Sequence, residues 1–138
     1  MNPLPPSIET GTFGEILVQI RLMQHGVQAA PPIKDTGNDL IAVREDCFRA
    51  VQVKTSTKGF PIKFKKKDLC KHYHILALVL LVDLEPTDPQ NFRVSLDQSK
   101  IFLLDREKVN KLSWTESDLK EFELAKERVD ELFPRQGC

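Results

Sequence analysis

The distribution of apolar residues predicts an α/β or α+β fold with a mixed central β-sheet flanked by helices, and three observations carry that prediction. Residues 9–25 place Phe13, Ile16, Leu17, Ile20, Leu22 and Met23 at helical spacing. Residues 40–43 and 48–53 read as two short strands joined at Glu45-Asp46, a hairpin. Residues 75–82 are an unbroken apolar run of strand length, the pattern of a strand covered on both faces.

Taken in order, the elements are as follows. Pro3, Pro5 and Pro6 make residues 1–8 a flexible arm, and residues 9–138 are expected to form one domain, the usual number for a chain of 138 residues. Gly26 ends the first helix, and residues 27–30 are a short strand stopped by Pro31-Pro32. Residues 33–38 loop into the hairpin, which the Gly37-Asn38 turn introduces. After Lys54 the run Thr-Ser-Thr-Lys-Gly-Phe-Pro is loop chemistry, and residues 64–72 read as a short basic helix. The 75–82 run is expected to be the central strand. Pro86 and Pro89 mark a loop, residues 92–96 and 100–104 two edge strands, and residues 106–112 a helical turn. Thr115 with Asp118 caps a terminal helix whose stripe is Leu119, Phe122, Ala125, Val129, Leu132 and Phe133.

Composition narrows the class. Charged residues are 29% and hydrophobic ones 41%, ordinary for a globular chain. The 75–82 run is far shorter than the roughly 20 residues of a membrane helix, and the N-terminus has no apolar signal core, so a cytoplasmic protein without membrane contact is expected. Cys47, Cys70 and Cys138 are odd in number and lack a paired spacing, so reduced thiols are expected. Cys70, His72 and His74 have no fourth ligand at a familiar zinc spacing.

The formal net charge is 0, yet charge is unevenly distributed. From Arg44 to His74 the bases Arg44, Arg49, Lys54, Lys58, Lys63, Lys65, Lys66, Lys67 and Lys71 are set against only Glu45, Asp46 and Asp68. Such a segment suits a polyanionic partner. Side chains alternate along a strand, so Gln52 and Lys54 share one face while Val51 and Val53 share the other. A hairpin brings Asp39 towards Gln52 and Lys54.

Asp39 at the start of one strand, Gln52-Val53-Lys54 on the next, and Glu15 on the preceding helix resemble the PD-(D/E)XK nuclease superfamily, the restriction-endonuclease-like enzymes. The similarity covers about residues 10–85. Gln52 stands where most of that superfamily has an acid, and some members are similar in having Gln-x-Lys there. The resemblance implies an αβββαβ core with a C-terminal helix and a Mg²⁺ (or Mn²⁺) dependent DNA endonuclease. It implies Glu15, Asp39, Gln52 and Lys54 as catalytic residues. Glu15, Asp39 and the Val53 carbonyl would be metal ligands, oxygen donors of the kind Mg²⁺ prefers. Lys54 would orient or deprotonate the attacking water or stabilise the transition state. Gln52 would retain an oxygen ligand while removing a negative charge, which favours one metal ion over two.

Thr55, Ser56 and Lys58 follow the site directly, and with Lys63, Lys65, Lys66, Lys67 and Lys71 they are expected to contact DNA phosphates. Cutting both strands needs two centres, so a homo-oligomer, a dimer or tetramer, is expected, with the terminal-helix stripe as one interface. Each residue also has a purely structural reading. Glu15 could complete a capping box with Thr12, Asp39 could serve the Gly-Asn turn, and Gln52 and Lys54 could be solvent-facing strand residues. The alternative for the whole chain is a catalytically impaired nuclease-fold module that binds nucleic acid or acts as an assembly subunit.

Overall fold

The computed structural model describes residues 6–34, 37–84 and 93–138, with side chains from Thr10 onward. Helix α1 (Pro6–Met23) is followed by β1 (Gln28–Ala30), β2 (Leu40–Arg44), β3 (Cys47–Ser56), β4 (Ile75–Leu80) and β5 (Lys100–Asp105). Three short helices, α2 (Arg106–Val109), α3 (Glu116–Leu119) and α4 (Lys126–Leu132), complete the order. The architecture is α+β, an open mixed sheet in the order β1-β2-β3-β4-β5 flanked by helices. Only β3 and β4 run parallel; the other neighbours are antiparallel.

Alternation along β4 divides the core. Ile75, Ala77 and Val79 join Leu17, Val18 and Leu22 of α1 and Val129, Leu132 and Phe133 of the C-terminal segment. Leu76, Leu78 and Leu80 point the other way, to Ile62, Tyr73, Val109, Leu119 and Phe122. Both faces of β4 are therefore covered, as its unbroken apolar sequence predicts. The middle of the sheet is nevertheless β3, because β4 has only the edge strand β5 beyond it.

Several local expectations are corrected. Helix α1 begins at Pro6, inside the segment expected to be an arm, because proline suits the first turn of a helix. Residues 1–5 lie outside the described residues. The apolar residues of α1 do not form one stripe: Leu17 and Leu22 are buried, while Phe13, Ile16, Ile20 and Met23 face outward. Strand β3 continues through Thr55 and Ser56, since β4 supplies parallel partners at Val79 and Leu80.

The basic helix expected at residues 64–72 is only a 3₁₀ turn, Lys66–Asp68. Clustered lysines repel at helical spacing, and an extended path lets Phe60, Ile62 and Phe64 cover the second core. The implied helix between β3 and β4 is thus replaced by a loop layer. The strand expected at residues 92–96 is reduced to a bridge between Asp83 and Val94, and Phe92, Pro86 and Pro89 lie outside the described residues. The terminal helix is broken: Glu123 bridges to Phe102 and the Leu124 N–H bonds the Ile101 carbonyl at 2.8 Å. These contacts extend the outer edge of β5, and they leave Ala125 exposed.

The thiol expectation is overturned at two positions. Cys70 stays outside any disulfide, whereas Cys47 and Cys138 form one across 91 residues. It fastens the end of the described chain to the start of β3. Nearby, the buried Arg44 guanidinium donates to Asp130 at 2.7 Å and to the Phe133 carbonyl at 3.2 Å. Lys126 and Arg44 together hold the Asp130 carboxyl down at about 2. Among the described residues no helix is long and apolar enough to cross a membrane.

Candidate active site

The hairpin register places the central acid. Arg44 pairs with Cys47 across Glu45-Asp46, where Glu45 takes the left-handed conformation at φ 54°. Counting back, Leu40 pairs with Val51, so β2 ends where β3 still has four residues beyond Gln52 to run. Asp39 occupies that end. Its N–H donates to the Val51 carbonyl at 3.1 Å, and its Oδ2 accepts from the Val53 N–H at 2.7 Å and from Gln52 Nε2 at 2.9 Å. The carboxylate thus replaces the backbone partner that β2 no longer supplies to Val53.

Gln52 is 6% exposed, and both ends of its amide are engaged. Its Oε1 accepts from the Cys70 N–H at 3.2 Å while its Nε2 serves Asp39. The opposite amide orientation would set oxygen against carboxylate and N–H₂ against N–H, so these partners fix it. The Gln52 oxygen thus holds the loop layer, and the amide nitrogen holds the Asp39 carboxylate.

Helix α1 brings in the second carboxylate. Gly14 lies so close to Thr55 that a Cβ there would collide with the Thr55 hydroxyl. Glu15, the next residue, lines a cleft of about 480 Å³ with Thr10, Gly11, Val53, Lys54 and Thr57. Burial, and then the negative charge of Asp39, raises the Glu15 carboxyl above its ordinary 4.5. Glu15, Lys54 and the Val53 backbone thus share one cleft, and Asp39 is within electrostatic reach of Glu15. The capping-box reading fails, because Thr12 lies within α1 and not at its start. The solvent-facing reading of Gln52 fails on its burial.

The expected nucleic-acid residues separate into two groups. Thr55, Ser56, Lys58 and Lys63 line an adjoining concavity of about 420 Å³, which meets the first cleft at Thr55 and Thr57. Lys65, Lys66, Lys67 and Lys71 are exposed on the loop layer, with Lys66 Nζ 5.4 Å from the Trp114 ring centroid. The sequence reading missed the Gln52–Cys70 bond, because nothing local announces a contact across 18 residues. It also missed Gly14, a glycine inside a helix whose missing side chain admits Thr55.

Two carboxylates, a strand carbonyl and an adjacent ammonium fit the oxygen chemistry of Mg²⁺. In an extended strand the N–H and C=O of one residue point to the same edge. The Val53 carbonyl therefore lies on the side where Asp39 meets its N–H. Among the described residues no three His, Cys, Asp or Glu side chains gather as metal ligands. No family model matches the chain, and no curated protein matches it.

Proposed function

We propose that the protein is a small Mg²⁺-dependent (or Mn²⁺-dependent) DNA endonuclease with a restriction-endonuclease-like core, working through one metal ion. The observation that carries this reading is the pair of hydrogen bonds that Asp39 Oδ2 accepts from Gln52 and Val53, beside a cleft shared by Glu15 and Lys54. Burial, and then the charge of Asp39, raises the Glu15 carboxyl, and a divalent cation would favour its ionised form. The ion would activate water for attack and neutralise charge on the phosphate. Asp39 and Glu15 supply the ligand charge, and Gln52 keeps Asp39 in place without adding another. Lys54 stabilises the negative charge that develops at the phosphate as the leaving oxygen departs. Thr55, Ser56, Lys58 and Lys63 guide the DNA backbone into the cleft, and the exposed Lys65, Lys66, Lys67 and Lys71 add affinity without sequence preference.

The reading includes a homo-oligomer, since cutting both strands takes two centres. The terminal stripe is core and is not available for that contact. The outward row of Phe13, Ile16, Ile20 and Met23 on α1 is the apolar surface that suits it. A cytoplasmic location remains part of the reading, with Cys47–Cys138 as a bond formed under oxidation.

Plasmid nicking in Mg²⁺ tests the assignment. Asp39→Ala should abolish cleavage, and Lys54→Ala should slow it about 10²- to 10⁴-fold. Equal activity in the wild type and both variants would sink it, and calorimetry showing two strong Mg²⁺ sites would exclude the one-metal form. A second reading, an impaired nuclease-fold module that binds nucleic acid, is favoured by the engagement of both ends of the Gln52 amide by Asp39 and Cys70. Salt-sensitive DNA binding without Mg²⁺-dependent cleavage would select it.

A further inference from the structure

A second cleft, of about 790 Å³, opens near the start of β3, where β4 begins and β5 runs into α2. Three of its side chains are donors already fixed by other contacts. His74 Nδ1 accepts the Ala50 N–H at 2.9 Å, so the neutral ring carries its proton on Nε2. Arg49 is anchored by Nε on the Leu132 carbonyl at 3.4 Å, which leaves its two terminal nitrogens for the cleft. Arg106 lies over the Tyr73 ring, with Cζ 5.5 Å from the centroid.

The acids of the cleft do not cancel these donors. Asp105 and Glu131 are both bound by Arg128, at 2.8 Å each, and Arg128 Nε is taken up by the Leu103 carbonyl. That triad is internally satisfied. Of the remaining charged lining residues, Arg49, Arg106 and Lys108 are opposed by Glu107 alone. Guanidinium forks with an adjacent imidazole N–H match a tetrahedral dianion, which offers several acceptor oxygens.

The cleft is also joined to the candidate active site. Within one short segment the Cys70 N–H holds the Gln52 side chain and His74 holds the Ala50 N–H, so one segment anchors both sites to β3. Ala50 and Lys54 are four residues apart. At about 3.3 Å per strand residue these two backbone positions are roughly 13 Å apart.

We propose that this second cleft binds a phosphoryl group through Arg49, His74 and Arg106. Its identification as a substrate backbone phosphate beyond the scissile bond rests on the nuclease reading; phosphate binding itself does not. The test is an NMR titration with inorganic phosphate, without metal, following the Ala50 and His74 amides at constant ionic strength set by chloride. Phosphate should move both signals in the wild type and in Asp39→Asn. Arg106→Gln, at an exposed position, should weaken binding about tenfold, and Arg49→Lys should weaken it while retaining charge. No phosphate-dependent shift in the wild type, or undiminished affinity in a folded Arg106→Gln, overturns the proposal.

Duplexes with 5′-phosphate and 5′-hydroxyl ends distinguish the source. Tighter binding of the phosphorylated duplex, lost in Arg106→Gln, assigns the cleft to a strand end. Equal binding, weakened alike by Arg106→Gln, assigns it to an internal phosphate. Cleavage that fails while phosphate binding persists would defeat the nuclease reading alone.

Discussion

The two layers that cover the sheet reach the candidate site by different physics. On one face α1 and α4 pack as helices, and their contribution is Glu15, set by the approach of Gly14 to Thr55. That layer is tied down far from the cleft by Arg44–Asp130 and by Cys47–Cys138. On the other face residues 57–74 form a layer with little regular structure, built on Ile62, Phe64, Leu69 and Tyr73. Its contribution is one backbone N–H, that of Cys70, delivered to Gln52. One layer therefore supplies charge through a rigid element, and the other supplies orientation through the main chain. The shape of the site depends on both.

The largest expected break in this comparison is the disulfide, which acts on the helix layer alone. In the chain-entropy view a bridge spanning 91 residues contributes about 4–5 kcal/mol. Calorimetric melting with and without reductant should show a large fall in Tm, matched by Cys138→Ser without reductant. An unchanged Tm would mean that the C-terminal segment stays docked through Arg44 alone.

A smaller break comes from the two glycines of α1. Gly14→Ala forces a Cβ into the Thr55 hydroxyl and should cost about 1–3 kcal/mol by overpacking. Gly11→Ala meets nothing within 4 Å and should stabilise the helix by about 0.5–1 kcal/mol. Denaturant melts of the pair should move in opposite directions; a shared direction would remove the close approach as the element that sets Glu15.

The smallest effect is electrostatic and depends on pH. Because the folded-state Glu15 carboxyl lies above 4.5, the folded protein holds that proton more tightly than the unfolded chain. Stability is therefore lost as pH rises from about 4.5 through the folded value, and the loss is complete above it. Glu15→Gln should accordingly leave Tm nearly unchanged near pH 4 and raise it at pH 7. A constant difference between the two proteins at both pH values would argue against a raised Glu15 carboxyl.

What was legible in the sequence follows the same division. Helix α1, the hairpin and β4 announce themselves through period and turn chemistry, and Asp39 and Gln52 do meet once the hairpin closes at Glu45-Asp46. Residues 64–72 were misread as a helix, because the local pattern does not reveal that Phe64 and Leu69 are needed along an extended path over β4. The terminal helix breaks for a related reason, since the edge of β5 engages Glu123 and Leu124 and overrides their helical pattern. Cysteine counting missed the Cys47–Cys138 bridge because partners 91 residues apart leave no local spacing to detect.

Strand β4 has a consequence for how the chain is made. Its six residues, Ile-Leu-Ala-Leu-Val-Leu, are wholly buried and uncharged, the composition that favours self-association when exposed. Its outer partner β5 begins at Lys100, so at about 5–20 residues per second the ribosome leaves that edge unpaired for roughly one to four seconds. Lys71 and Asp83, placed just outside the run, act as charged gatekeepers during that interval. Truncation before β5 should therefore produce inclusion bodies rather than a smaller soluble protein.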